Sequence, residues 1–267
     1  MTTTVAEVAE YLESIAPLFL QEKYDNSGLL LGSANEVVNG AVICLDCTED
    51  VIDEAVRLGC NLVISHHPAI FYGLKSLTGA NATERVVRKA IKEDIILYAI
   101  HTNLDNVLAN GVNERIAKQL GMEIEGVLNP LGTSADHIGT GSGVITFFPK
   151  PMLEVEFLQL LKERMHSRVI RHSALPGIPI TRVAICGGSG SFLLEAARAA
   201  GVQALVTADY KYHGFFDADG NLLICDIGHY ESEQYTVNLL QELISGKFTT
   251  FAAHCTGINT NPVHYFT

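Results

Sequence analysis

Residues 41–68 read AVICLDCTEDVIDEAVRLGCNLVISHHP, and this stretch decides the fold. A short apolar run is followed by an amphipathic helical pattern, and a second apolar run, NLVI, stops at Ser65-His66-His67-Pro68. Strand, helix and strand in this order describe an α/β unit.

Two adjacent histidines at a strand exit need a reason. Pro68 biases His67 toward extended backbone, and in extended chain neighbouring side chains point in opposite directions. Two imidazoles forking from one strand end suit two metal ions better than one.

Residues 183–210, VAICGGSGSFLLEAARAAGVQALVTADY, repeat the order of strand, helix, helix-ending glycine and strand. At a constant offset Ile43 meets Ile185, Cys44 meets Cys186, Ala55 meets Ala197 and Gly59 meets Gly201, which points to an internal duplication. The strand that follows agrees. DIILYAI runs into His101-Thr-Asn-Leu-Asp105 and NLLICDIG into His229-Tyr-Glu-Ser-Glu233, so both halves carry His-x-x-x-carboxylate past an apolar strand. On a helix that spacing puts both side chains on one face. The duplication also aligns His67 with Asp209.

Open α/β sheets bind ligands at the C-terminal ends of their strands. The donors expected there are His66, His67, His101, Asp105, His229 and Glu233, with Asp209 and His213 nearby. Imidazole and carboxylate without thiolate suit Zn, Mn, Fe, Co or Ni. Six donors exceed one open tetrahedral site and match two divalent ions sharing a carboxylate, for which Glu233 or Asp105 serves. The chemistry expected is hydrolysis by a metal-bound hydroxide, with Asp209 and His213 orienting ligands or moving protons. A non-catalytic metal-binding scaffold or metal-delivery protein would use the same donors.

VAICGGSGSF also invites a dinucleotide or phosphate reading, with Asp209 as the ribose acid; Gly188 and Gly190 give GxG, while Leu193 occupies the third glycine position. Backbone N–H groups of that turn are expected near the same edge and can hold a substrate anion. Asp25, in DNSGLLLG, is expected to cap or orient a neighbour. Gly139, Gly141 and Gly143 are expected in a turn or bulge. His137, His166, His172, His254 and His264 lack carboxylate partners at ligand spacing and are expected to be structural or solvated.

The formal charge is −12, with 30 acidic residues against 18 Lys plus Arg and no dense basic stretch, which argues against stable nucleic-acid binding. Val5, Val8, Leu12, Ile15 and Phe19 recur at helical spacing and Thr4 with Glu7 forms a capping-box pattern, so the N-terminus is a folded helix and not a signal peptide. No apolar run approaches the roughly 18 residues that span a bilayer. A soluble, cytoplasmic protein with reduced cysteines is expected; the CxxC of Cys44 and Cys47 lacks the context of a redox or metal motif. Residues 126–180 are richer in Gly and Pro, with GVITFF and SRVIRHSA as strands around a helix marked by Leu153, Phe157, Leu160 and Leu161. The expected division is 1–125 and 126–267.

DNSGLLLG, NLVISHHPAIF, AIHTNLDNV, VAICGGSGSF, TADYKYH and DIGHYESE, in this order along the chain, resemble the Nif-three-like family, whose members are often named GTP cyclohydrolase 1 type 2 homologs. The resemblance implies two similar interleaved α/β lobes, a dinuclear metal centre between them at the strand ends, and a ring-shaped homohexamer acting on a nucleotide-like small molecule. Its ligands fall on His66, His67, His101, Asp105, His229 and Glu233. HIGTGSG departs from the family by lacking an arginine, and the length corresponds to the minimal form without an inserted domain.

Overall fold

Thr4 opens the first helix as its sequence pattern demands. Its hydroxyl accepts from Glu7 N, and the Glu7 carboxylate accepts from Thr4 N at 2.7 Å. From there the chain runs through α1 (Val5–Ile15), β1 (Gly28–Leu31), β2 (Gly40–Cys44), α2 (Glu49–Leu58), β3 (Leu62–Ser65), α3 (Ala82–Lys92), β4 (Ile96–Ala99) and the short α4 (Thr102–Asp105). The computed structural model describes residues 2–132 and 139–266. His137 lies outside the described residues.

The second stretch comprises α5 (Val112–Leu120), β5 (Glu123–Pro130), β6 (Gly141–Met152), α6 (Glu154–Arg164), β7 (Arg171–His172), β8 (Ile180–Ser189), α7 (Leu194–Ala199), β9 (Ala204–Ala208), β10 (Leu223–Asp226) and α8 (His229–Glu233). The chain closes with α9 (Thr236–Lys247) and β11 (Ala252–Cys255).

Two compact units result, Met1–Leu104 with Thr236–His264 and Asp105–Tyr235 with Tyr265–Thr267. The division therefore falls after Leu104 where the sequence suggested 125, and the C-terminal helix and strand return to the first unit. The physical reason is strand pairing: β11 lies parallel to β2, with Ala253 opposite Ala41 and Cys255 opposite Ile43.

The first unit's sheet has the order β1-β4-β3-β2-β11, with only β1 antiparallel. The second unit's sheet has the order β5-β6-β8-β9-β10-β7, parallel from β8 to β10 and antiparallel at β7. The duplication is visible in register. Ala41 pairs with Leu62 in the first unit and Val183 with Ala204 in the second, the positions that the sequence repeat equates. Leu62 next pairs with Ile96, and Ala204 with Leu223.

β2, β3, β4, β9 and β10 are buried along their whole length, which is why they read as continuous apolar runs. The helix-ending glycines Gly59 and Gly201 take positive φ, at 70° and 67°, turning the chain sharply into the next strand. SRVIRHSA contributes only the two-residue β7, whose Arg171 and His172 are exposed, and buried Ser173 continues it by donating from its N to Ile224 O at 3.1 Å. No helix among the described residues is long and apolar enough to cross a membrane.

Candidate metal centre

In the first unit three parallel strands release their chain at one edge, and each delivers polar side chains there. Two residues beyond β2 comes Asp46, directly beyond β3 come His66 and His67, and two beyond β4 comes His101. His66 N donates to Cys44 O at 3.1 Å and His67 N to Leu45 O at 2.9 Å, so the pair stays tied to the neighbouring strand's exit. Both lie in a bend, and their rings sit side by side with centroids 5.1 Å apart. The opposite orientation that continued strand would impose is not adopted. The His101 ring stands 5.3 Å from that of His66 and 5.2 Å from that of His67, and ring nitrogens of all three lie within 4.8 Å of one another.

The partners of these rings fix which nitrogen could face a metal. His66 Nδ1 lies 2.8 Å from Ile100 O, a carbonyl that only accepts, so Nδ1 carries the proton. His67 Nδ1 lies 2.8 Å from Asp46 Oδ1, and His101 Nδ1 lies 2.7 Å from Asp25 Oδ1. Burial alone would raise the Asp25 pKa; hydrogen bonds from His101 and Thr102 outweigh it and hold the carboxyl far below its usual range, so it too acts as an acceptor. In the neutral imidazoles the lone pair then resides on Nε2. Protonated Nδ1 held from behind and Nε2 presented forward is the arrangement in which histidines bind divalent metals.

In the second unit the donors come from α8 and from the end of α4. His229 and Glu233 are one turn apart on α8, with His229 Nε2 3.0 Å from Glu233 Oε2. Asp209, directly after β9, accepts from His229 Nδ1 at 2.7 Å. Asp209 adopts φ 54°, a conformation that Asp tolerates better than most residues. Burial opposes charge on His229, but its hydrogen bonds to Asp209 and Glu233 prevail and raise its pKa to about 11. The bond from His229 in turn lowers the Asp209 pKa. Oxygens of Asp105 and Glu233 lie within 4.8 Å of each other. Two carboxylates at this spacing beside an imidazole form a hard, anionic donor set, which a divalent cation satisfies.

The glycines of CGGSG make room for this set. A Cβ on Gly188, which has φ +63°, would come within 2.3 Å of Glu233 Oε1, and one on Gly190 within 2.6 Å of Thr207 Oγ1. Their N–H groups are already committed: Gly187 N donates to Asn113 Oδ1, Gly188 N to Ser232 Oγ and Gly190 N to Thr207 Oγ1, at 2.8–2.9 Å. The loop is therefore packed against protein side chains where a phosphate-cradling turn would present open donors. Gly188 is the repeat's counterpart of Asp46: one unit places a carboxylate at this strand exit, and the other clears the position for Glu233.

Asp46 is the residue that sequence reasoning missed, hidden inside CLDC. Asp25 was legible only as a capping or orienting group. His213 is exposed on the short 3-10 helical segment Tyr212–Ala218, its ring against Tyr212 and Phe216. His172 bonds the backbone through Nδ1, and His166 lies beside Tyr235. Of the CxxC thiols Cys44 is buried and Cys47 partly so; desolvation first and Asp46 second push Cys47 up to about 12. Gly141 begins β6, where a Cβ would strike Asn129 O at 2.3 Å, so it serves close strand approach.

The family model described as Duf34/NIF3 (NGG1p interacting factor 3) matches residues 3–262. A Clostridium acetobutylicum protein named GTP cyclohydrolase 1 type 2 homolog is 31% identical over 261 residues, covering 97% of this chain and 94% of that one. A solved structure of a Staphylococcus aureus hypothetical protein is similar with a TM-score of 0.90 at 29% identity, covering 100% of both chains. A Bacillus cereus protein related to NIF3 shares the fold, with a TM-score of 0.89 at 24% identity over 99% of each chain. With nearly its whole length matched, the chain belongs to the Duf34/NIF3 family.

Proposed function

We propose that the protein is a metal-dependent hydrolase in which His66, His67, His101, Asp105, His229 and Glu233 together hold two divalent ions. The observation that carries this reading is the backing of the His66, His67 and His101 rings at Nδ1 by Ile100 O, Asp46 and Asp25, which leaves each Nε2 for a cation; His229, backed by Asp209, would give up the Nε2 proton it shares with Glu233 to bind one. When bound, a pair of such ions polarises a substrate carbonyl or phosphoryl group and lowers the pKa of a coordinated water.

The chain's own residues supply the rest. Glu233, buried against Gly188, or Asp105 would serve both ions, and Asp209 holds the His229 ring in one orientation. His213, exposed beside Tyr212, is assigned the proton exchange with solvent. The relatives' name, GTP cyclohydrolase 1 type 2 homolog, directs the substrate search toward nucleotide-like molecules. A cytoplasmic homohexameric ring is part of the same proposal, and light scattering tests the assembly.

The deciding experiment is metal analysis of protein purified without chelator, followed by a hydrolysis screen. About two equivalents per chain are expected, falling in Glu233→Ala, with turnover abolished in His67→Ala. Metal-free wild type, or a fully loaded Glu233→Ala variant, refutes the reading. Full loading with metal transfer to an apo-acceptor and no turnover would identify a metal-delivery protein instead.

A further inference from the structure

Beyond β11 the chain stays on the first unit's sheet and returns to the metal-ligand edge. Thr256 N donates to Ile43 O at 2.8 Å, extending the β11–β2 ladder past Cys255. Buried Glu54 on α2 then clamps the segment, accepting from the Thr256 hydroxyl and, at 3.2 Å, from Gly257 N. Ile258 packs on the core beneath, and Asn259 Oδ1 accepts from Asn261 N at 3.0 Å, closing a turn. Between those two anchors Thr260 Oγ1 donates to Asp46 Oδ2 at 3.1 Å. The other oxygen of the same carboxylate lies 2.8 Å from His67 Nδ1.

A carboxylate gripped through one oxygen can still rotate about its last torsion, whose energy profile is broad. Gripping the second oxygen fixes the carboxylate plane, and with it the ring that the first oxygen holds. We infer that Thr260 is a positioning residue of the metal centre, acting on His67 through Asp46, and that the segment Thr256–Asn261 is built to deliver it. The inference rests on the reading of His67 as a ligand. It adds a residue far from every ligand motif, on a stretch whose backbone is otherwise committed to the sheet and to Glu54.

The test uses the full chain, stripped and reloaded with cobalt(II), as wild type, Thr260→Val and Thr260→Ser. Affinity is measured by chelator competition and ligand geometry by the visible absorption of cobalt. Thr260→Val, nearly isosteric but without the hydroxyl, is expected to weaken binding about three- to tenfold, the worth of one ordinary hydrogen bond, and to shift the absorption envelope. Thr260→Ser is expected to restore both. The metal-free variants are expected to unfold at the wild-type denaturant concentration. Wild-type affinity and spectrum in Thr260→Val would overturn the inference, as would Thr260→Ser behaving like Thr260→Val, or an equal loss of metal-free stability. Wild type that takes up no cobalt would sink the ligand reading itself, a result distinct from all of these.

Discussion

Asp25 Oδ1 lies 2.7 Å from His101 Nδ1 across 76 residues of sequence, and its other oxygen accepts from Thr102 N at 3.0 Å. Ser27 Oγ, bonded to the same carboxylate, accepts from His101 N at 3.2 Å. The turn before β1 therefore grips both the ring and the backbone of the residue at the β4 exit.

Asp25→Ala removes an acceptor shared by several donors. Metal affinity is expected to fall about 10- to 100-fold, the usual effect of deleting a ligand's supporting carboxylate. Stability is expected to fall by about 1–3 kcal/mol from the donors left unbonded. Chelator competition and urea unfolding check the two effects, and unchanged affinity would show that His101 needs no support.

Gly188→Ala places a methyl where Glu233 Oε1 lies, at a φ of +63°. Gly201→Ala introduces similar backbone strain at φ +67° with only Arg182 Nη1 nearby, at 4.0 Å. Both are expected to lose about 1–2 kcal/mol of stability. Only Gly188→Ala is expected to lose metal, as read by elemental analysis; equal metal content in the two would contradict the role given to Glu233.

Buried Glu84 organises the loop before α3. Thr78 Oγ1, Ala80 N, Gly79 N and Thr78 N all donate to its Oε2, and these bonds, that of the Thr78 hydroxyl foremost, lower its pKa to about 2 against an ordinary 4.5. A folded pKa below the unfolded one stabilises above pH 4.5, and that stabilisation disappears as pH falls through about 2. Glu84→Gln imitates the protonated state. At neutral pH it is expected to be cleaved by chymotrypsin at the exposed Tyr72 or Leu77 faster than wild type; equal cleavage rates would refute the anchoring role.

Cys47 is held as a thiol by burial and by Asp46. Cys47→Ser is expected to keep wild-type metal stoichiometry, and the folded protein is expected to resist iodoacetamide there under conditions that label the unfolded chain. Metal loss in Cys47→Ser would restore the CxxC to the site.

Where the sequence was legible, the signal was local. Ile43, Ile64 and Leu205 sit in strands buried along their full length, so apolar runs and helix-ending glycines sufficed to place the α/β repeat. His66, His67, His101, His229 and Glu233 stand at or just past strand ends, and the spacing within each motif, His66 beside His67 and His229 four before Glu233, is short. The return of β11 to β2 left no local trace, because strand pairing is chosen by the partner and not by the strand alone. GxG was ambiguous for the same reason: a missing side chain looks identical whether it makes room for a phosphate or for Glu233.

The sequence by itself determined the duplicated α/β units and which imidazoles and carboxylates stand at their strand exits, because periodicity and strand ends are properties of contiguous chain. Only the tertiary structure decided how those donors are held. Asp25 behind His101, Asp46 behind His67 and Thr260 behind Asp46 are contacts between residues far apart in the chain, created when separate strands end at one edge.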